Sequence, residues 1–213
     1  MTDHTISGTP AAPSPAAQRQ LLHVGCGMPN PKRLPACFQQ AGWREVRFDI
    51  DGRVRPDIVG SITDMSMIPD GCIDAIWSSH NLEHLNSFEV PVALAEFRRV
   101  LKPAGFVLLT LPDLRAIARH IAGGGLAEPL YQSPAGPIRA LDVVFGHQAS
   151  IEAGNGFMAH RTGFTADTLG AALLDAGFDE VRVHEGRHWD LWAVATMAEA
   201  DPALFDELSG VMQ

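Results

Sequence analysis

An apolar run that stops on a glycine pair, Leu21-Leu22-His23-Val24-Gly25-Cys26-Gly27, constrains this chain more than any other stretch. Glycines at alternate positions remove Cβ atoms where a backbone must turn sharply and come close to a ligand. A second landmark, Phe48-Asp49-Ile50-Asp51, comes about one strand–helix–strand unit later. An acidic side chain at the end of that second strand can accept both hydroxyls of a ribose. Together the two signals describe a nucleotide-type cofactor seated at the end of a strand. Gly-x-Gly alone is common in ordinary turns, so the weight rests on the order of the motifs along the rest of the chain.

Apolar runs and helical periods alternate along the chain. Residues 21–24, 45–49, 57–60, 73–78 and 106–111 read as strands. Pro29, Pro31 and Pro35 prevent a helix from starting directly after the glycines, so any helix there is short, over 35–41, and ends at Gly42. Val90, Leu94, Phe97 and Leu101 repeat at helical spacing, and that helix ends at Lys102-Pro103-Ala104-Gly105. A second helix runs from Pro112-Asp113 to about residue 121, a third spans 166–176, and a terminal one spans 201–211. Residues 181–184 and 191–197 read as an antiparallel hairpin closing a sheet edge. The fold class is therefore α/β, a mostly parallel sheet with helices on both faces. Residues 1–18, rich in Pro, Ala, Ser and Thr without periodicity, read as a disordered leader. Residues 19–213 read as one domain, in which the Gly- and Pro-rich stretch 123–161 breaks the rhythm as a lid or substrate-recognition insert.

Composition narrows the classes. The chain has 213 residues, 46% of them hydrophobic, enough to bury one core. A net charge of −9 argues against nucleic acid as the main partner. No apolar run approaches the roughly 20 residues of a membrane span. The three cysteines, Cys26, Cys37 and Cys72, show no CxxC spacing. That suits a reducing cytoplasm rather than a disulfide framework or a zinc ribbon.

Taken in order, four motifs resemble those of the class I S-adenosylmethionine-dependent methyltransferases, in particular the small bacterial group labelled methyltransferase type 11. They are Leu22-His23-Val24-Gly25-Cys26-Gly27, then Phe48-Asp49-Ile50-Asp51, then Ser78-Ser79-His80-Asn81-Leu82-Glu83-His84-Leu85, then Arg99-Val100-Leu101-Lys102-Pro103-Ala104-Gly105. The resemblance covers residues 20–111 well and 162–197 more loosely. It implies a Rossmann-like seven-stranded sheet with one antiparallel strand, and S-adenosyl-L-methionine as cofactor. Two positions depart from the family pattern: Pro29 stands where a third glycine is usual, and Ala104 where Lys-Pro-Gly-Gly is usual.

The resemblance assigns cofactor contacts to Val24, Gly25, Cys26, Gly27, Asp49, Ile50, Ile62, Thr63, Asp64, Ser78 and Ser79. Asp49 is the choice for the ribose, with Asp51 as competitor. Asp64 is the candidate for the adenine amino group, although Ser61 stands where many relatives carry Asp. Backbone with Ile62 or Met65 is the alternative. His80 is expected to face the acceptor as general base, because histidine titrates near neutral pH; His147 and His160 are reserves. Tyr131 and Arg161 are expected to contact substrate, as are His188, Trp189 and Asp190. The expected reaction is methyl transfer to a hydroxyl or amine of a small-molecule acceptor.

Other readings compete. A non-catalytic S-adenosylmethionine-binding sensor or partner subunit uses the same cofactor motifs, and the polar, base-equipped insert favours an enzyme over it. A nicotinamide-dependent oxidoreductase requires a pyrophosphate-binding G-x-G-x-x-G, which stops here at Gly27. His80-Asn81-Leu82-Glu83-His84 also spells H-x-x-E-H, an inverted zinc-protease pattern. Two His on one helix face could bind zinc, but the motif directly follows a buried strand, so no metal is assigned. Neither membrane nor nucleic-acid partners are expected, and an oligomer is left open.

Overall fold

The computed structural model describes residues 18–30, 32, 34–133 and 136–212. The expected disordered leader lies outside them except for Gln18. Among the described residues the strands are β1 (Arg19–Val24), β2 (Trp43–Asp49), β3 (Ile58–Val59), β4 (Ile73–Ser79), β5 (Leu101–Pro112), β6 (Pro129–Ser133), β7 (Gly136–Arg139), β8 (Glu180–Glu185) and β9 (Asp190–Thr196). The helices are α1 (Val90–Val100), α2 (Leu114–Ala122), α3 (Ala140–Phe145), α4 (Gln148–Glu152), α5 (Ala166–Asp175) and α6 (Leu204–Ser209).

Seven strands form one sheet in the order β3-β2-β1-β4-β5-β9-β8. β1 through β5 pair in parallel, and β9 runs antiparallel to both β5 and β8. The sheet is Rossmann-like, as the motif order implied. Strand order reverses between β1 and β4, and ligands of such sheets bind beyond the carboxyl ends of the strands at that point.

Successive side chains of a strand point to opposite faces, and this alternation divides the core in two. Leu22, Val24, Ile76, Val107 and Leu109 pack with Val90, Leu94 and Phe97 of α1 and Leu169 and Leu173 of α5. Leu21, Ala75, Trp77, Leu108 and Val194 pack on the other side with Phe205 and Leu208 of α6 and with Phe38. Burial on both faces explains why β1, β4 and β5 read as continuous apolar runs rather than alternating ones. Phe164 and Phe178 belong to the first core, and Trp192 stacks on Trp77 with ring centroids 5.6 Å apart.

Beyond shifts of one or two residues at element ends, three boundaries differ from the sequence expectation. The short helix over 35–41 is a single 3-10 turn, Ala36–Phe38, with Phe38 its buried residue. Leu101 leaves α1 to pair with Ile73, and the pairing shifts register before Ala75 meets Phe106. The strand therefore starts before Pro103, and 102–105 bulge from it. The terminal helix is only Leu204–Ser209. The stretch 123–161, read from sequence as a break in the strand–helix rhythm, contains a two-stranded sheet of β6 and β7 and the short helices α3 and α4. No helix of the described residues is long and apolar enough to cross a membrane.

Candidate functional site

A cavity of about 840 Å³ opens beyond the carboxyl ends of β1, β2 and β4. Its size falls within the range of small-molecule sites, roughly 300–1,000 Å³. The sheet supplies one wall and the 123–161 segment the other, through Tyr131, Ile138, Val143, His147, Phe157, Met158 and His160.

The glycine loop forms the floor. Gly25 has φ +58°, and a Cβ there would sit 1.7 Å from Asn81 Oδ1. Both the left-handed conformation and the contact require glycine. Asn81 is fixed in turn: its amide donates to the carbonyls of Val24 at 3.1 Å and Ser79 at 3.3 Å, and to Ser78 Oγ at 3.1 Å. Gly27 also has positive φ, at 59°. Its N–H donates to Asp49 Oδ2 at 2.8 Å, and its carbonyl accepts from the Arg47 guanidinium. Asp49 Oδ1 accepts from the N–H of Asp51 at 2.9 Å. One buried carboxylate thus ties together the loops after β1 and β2. A carboxylate has about four acceptor positions, so roughly two remain. Asp51 lies on the wall too, but its carboxylate is clasped by Arg53 at 2.8 Å. Cys26 lies between the glycines, and burial pushes its thiol up to about 11.

At the end of β4 the chain turns through His80, whose φ is +55°. Non-glycine residues adopt this conformation seldom, and such positions concentrate at functional sites. The His80 N–H donates to the Thr110 carbonyl at 2.8 Å. Its half-exposed ring lines the cavity, and Nδ1 lies 3.1 Å from Oε1 of fully buried Glu83. Burial acts to lower the His80 pKa, but the hydrogen bond to Glu83 and its charge, aided by Asp190, outweigh that and raise it. Burial acts to raise Glu83, and the His80 bond with nearby His84 and His160 overrides it and lowers the carboxyl. Both directions describe one ion pair.

The H-x-x-E-H stretch is not an α-helix. Leu82–His84 is a single 3-10 turn, preceded by left-handed His80, so His80 and His84 do not share a helix face. Instead His84 meets His160, with ring centroids 4.9 Å apart. The backbone brings them together, since the N–H groups of Arg161 and Thr162 donate to the Glu83 carbonyl at 2.7 and 3.2 Å. Burial lowers His160; Glu83 opposes this and His84 adds to it.

Within the insert, Asp142 organises two helices at once. Oδ2 accepts from the Arg139 N–H before α3 at 2.9 Å, and Oδ1 from the Gln148 N–H that opens α4 at 3.0 Å. Gly146, φ +93°, is pressed onto the next segment, where a Cβ would stand 1.9 Å from the Met158 carbonyl. These contacts hold His147 and His160 at the cavity wall. Burial, with Asp190 and Asp142, raises the Tyr131 phenol, which keeps it a hydrogen-bond donor.

Of the residues singled out from sequence, Gly25, Cys26, Gly27, Asp49, Ile50, Ile62, Ser79, His80, Tyr131, His147, His160 and Arg161 line this cavity, as do His188 and Trp189. Others do not. Val24 and Ser78 are buried beneath the loop, Ser78 as a partner of Asn81. Met65 is fully buried in the core. Thr63 and Asp64 line a separate shallow depression with Glu96 and Arg99, at a turn closed by a Ser61–Asp64 bridge. Asp190 accepts from the Trp192 indole and the His188 N–H. Sequence reasoning missed Asn81 as the buttress of Gly25, Asp142 as the organiser of the insert, and the meeting of Glu83 and His84 with His160. For Asn81, Glu83 and His84 the available signal was a polar run immediately after the buried strand β4.

Residues 22–109 match the family model described as a methyltransferase domain. Solved structures share the fold. A SAM-dependent methyltransferase from Archaeoglobus fulgidus aligns with a TM-score of 0.55 at 14% identity, over 84% of this chain and 86% of that one. A second, from Methanosarcina mazei, aligns at 0.54 with 16% identity, over 84% and 93%. The CMeT domain structure of the citrinin polyketide synthase aligns at 0.55 with 16% identity, over 89% of this chain and 48% of that one. At such identities the likeness is one of fold. No curated protein matches the chain.

Proposed function

We propose that this chain is a class I S-adenosylmethionine-dependent methyltransferase, a reading supported by the match of residues 22–109 to a methyltransferase-domain model, and that it methylates a hydroxyl or amine of a small molecule held between the sheet and the 123–161 insert. The observation that carries the acceptor chemistry is the His80–Glu83 pair on the cavity wall. S-adenosylmethionine is the cofactor, and the residues present fit it. A glycine loop without Cβ atoms, a buttress at Asn81 and a buried carboxylate with spare acceptor positions face one cavity. Asp49 would take the ribose hydroxyls, Gly25 and Gly27 would lie against the methionine portion, and Ile50 and Ile62 would border the adenine. Bound there, the cofactor supplies a methyl group already activated by its sulfonium.

The chain's own part is to hold the acceptor, shield it from water and take its proton. Once the ring is neutral, donation from His80 Nδ1–H to Glu83 leaves Nε2 as its acceptor atom. Glu83 fixes that tautomer and strengthens the base, an arrangement of base and orienting carboxylate common in proton-transfer sites. Tyr131 and Arg161 supply donors from the insert side. The negative surface and enclosed wall favour a small acceptor over nucleic acid.

The test is methyl incorporation from isotopically labelled S-adenosylmethionine into a panel of low-molecular-mass alcohols and amines, with wild type and His80→Ala. Loss of a general base lowers kcat by roughly 10²–10⁴-fold, with cofactor affinity unchanged. Full turnover by the variant removes the role given to His80.

A further inference from the structure

We propose that Glu83, His84 and His160 bind a divalent transition-metal ion of the zinc class at the base of the cavity. One ligand atom from each of the three residues lies within 4.8 Å of the others. Ligands about 2.0–2.2 Å from a shared zinc stand roughly 3.3 Å apart in a tetrahedral site. Closure therefore needs an inward shift of under about 1 Å per ligand.

Hydrogen bonding has already assigned the donor atoms. His84 Nδ1 lies 3.1 Å from the Ala159 carbonyl, and His160 Nδ1 lies 2.8 Å from the Val143 carbonyl. A carbonyl only accepts, so each Nδ1 carries a proton, and in the neutral ring that a metal requires the lone pair is on Nε2. Metal-bound histidines are oriented in this way, by a backbone carbonyl or carboxylate on the far nitrogen. The third donor is marked independently. Glu83 is fully buried, Oε1 is taken by His80, and Oε2 has no hydrogen-bond partner. A buried carboxylate oxygen without a partner is costly unless something outside the protein satisfies it.

The donor set of two imidazoles and one carboxylate suits zinc, cobalt or iron rather than magnesium or calcium, which prefer all-oxygen sites. Three protein ligands with a remaining position is the pattern of a reactive ion rather than a structural one. His84 and His160 line the same cavity as the glycine loop, so the remaining position suits an acceptor that offers a coordinating oxygen or nitrogen. The ion-binding claim does not depend on methyl transfer, because it is read without a methyl donor.

The experiment uses the full chain without a polyhistidine tag, stripped by chelator, reloaded with Zn²⁺ and assayed for bound metal after gel filtration. Co²⁺ is titrated in parallel and followed by its visible ligand-field absorption. One equivalent of zinc and a cobalt band are expected. His160→Ala and Glu83→Gln should weaken binding by at least about 100-fold, since even partners that only orient a ligand cost 10–100-fold. His184→Ala, on the exposed edge strand β8, should leave it intact. If Glu83→Gln does not fold, His160→Ala and the cobalt spectrum decide. Folded wild type that takes up no stoichiometric zinc overturns the proposal. So does equal affinity in His160→Ala, or an equal loss in His184→Ala.

Discussion

Replacing Asp49 by Asn keeps the side chain's shape and removes its charge and one acceptor. Asp49 spends one oxygen on the Gly27 N–H at 2.8 Å and the other on the Asp51 N–H at 2.9 Å. An amide can serve only one of them, so its NH2 must face the other backbone donor. The loop after β1 or the loop after β2 is then released. A hydrogen bond to a charged group contributes about 1.5–3 kcal/mol, and about 1.4 kcal/mol is a factor of ten in affinity. Asp49→Asn should therefore weaken binding of S-adenosylmethionine about 10- to 100-fold, measured by calorimetric titration. Loss of the same bond should lower the melting temperature by roughly 3–12 °C at about 2–4 °C per kcal/mol for a chain of this size. Asp51→Asn is the comparison, because Asp51 is paired with Arg53 at the rim, and its affinity should change less than about threefold. Asp49→Asn that binds within about threefold of wild type refutes the reasoning. Loss in Asp51→Asn alone would transfer the ribose contact to Asp51.

Gly25→Ala should abolish measurable binding of S-adenosylmethionine, since its Cβ would displace Asn81 and the φ of +58° is unfavourable for alanine; binding at wild-type affinity would show that the loop is not against the ligand. With its pKa near 11, Cys26 stays a buried thiol at neutral pH. Alkylation of the folded protein by iodoacetamide at pH 8, mapped by peptide mass spectrometry, should modify half-buried Cys72 faster than Cys26: burial raises both thiols, but Cys26 further, and it is the less accessible of the two. Rapid labelling of Cys26 would contradict its burial.

Legibility in the sequence depended on a period or a fixed chemistry. The buried strands β1, β4 and β5 announced themselves because a sheet covered on both faces leaves uninterrupted apolar runs. α1 was legible because Val90, Leu94 and Phe97 must all meet one sheet face. Gly25, Gly27, Asp49 and its competitor Asp51 could be expected at the cavity, where they lie, because backbone approach and a strand-end carboxylate are readable as local patterns. The insert was not legible. β7, α3 and α4 are four to six residues long, too short to show a period, and they depend on contacts such as those of Asp142 with Arg139 and Gln148. The meeting of Glu83 and His84 with His160 was hidden for a related reason. It depends on a backbone crossing 75 residues away in sequence, from His84 to Ala159. The H-x-x-E-H spacing suggested His80 as the partner only on the premise of an α-helix that does not form.

Calorimetric titration of the folded wild-type chain, freed of co-purified ligand, with S-adenosylmethionine and S-adenosylhomocysteine tests the central claim most directly. The account predicts saturable binding of both at one site per chain, in the micromolar range, with a lowered affinity in Asp49→Asn. A folded chain that binds neither would contradict it.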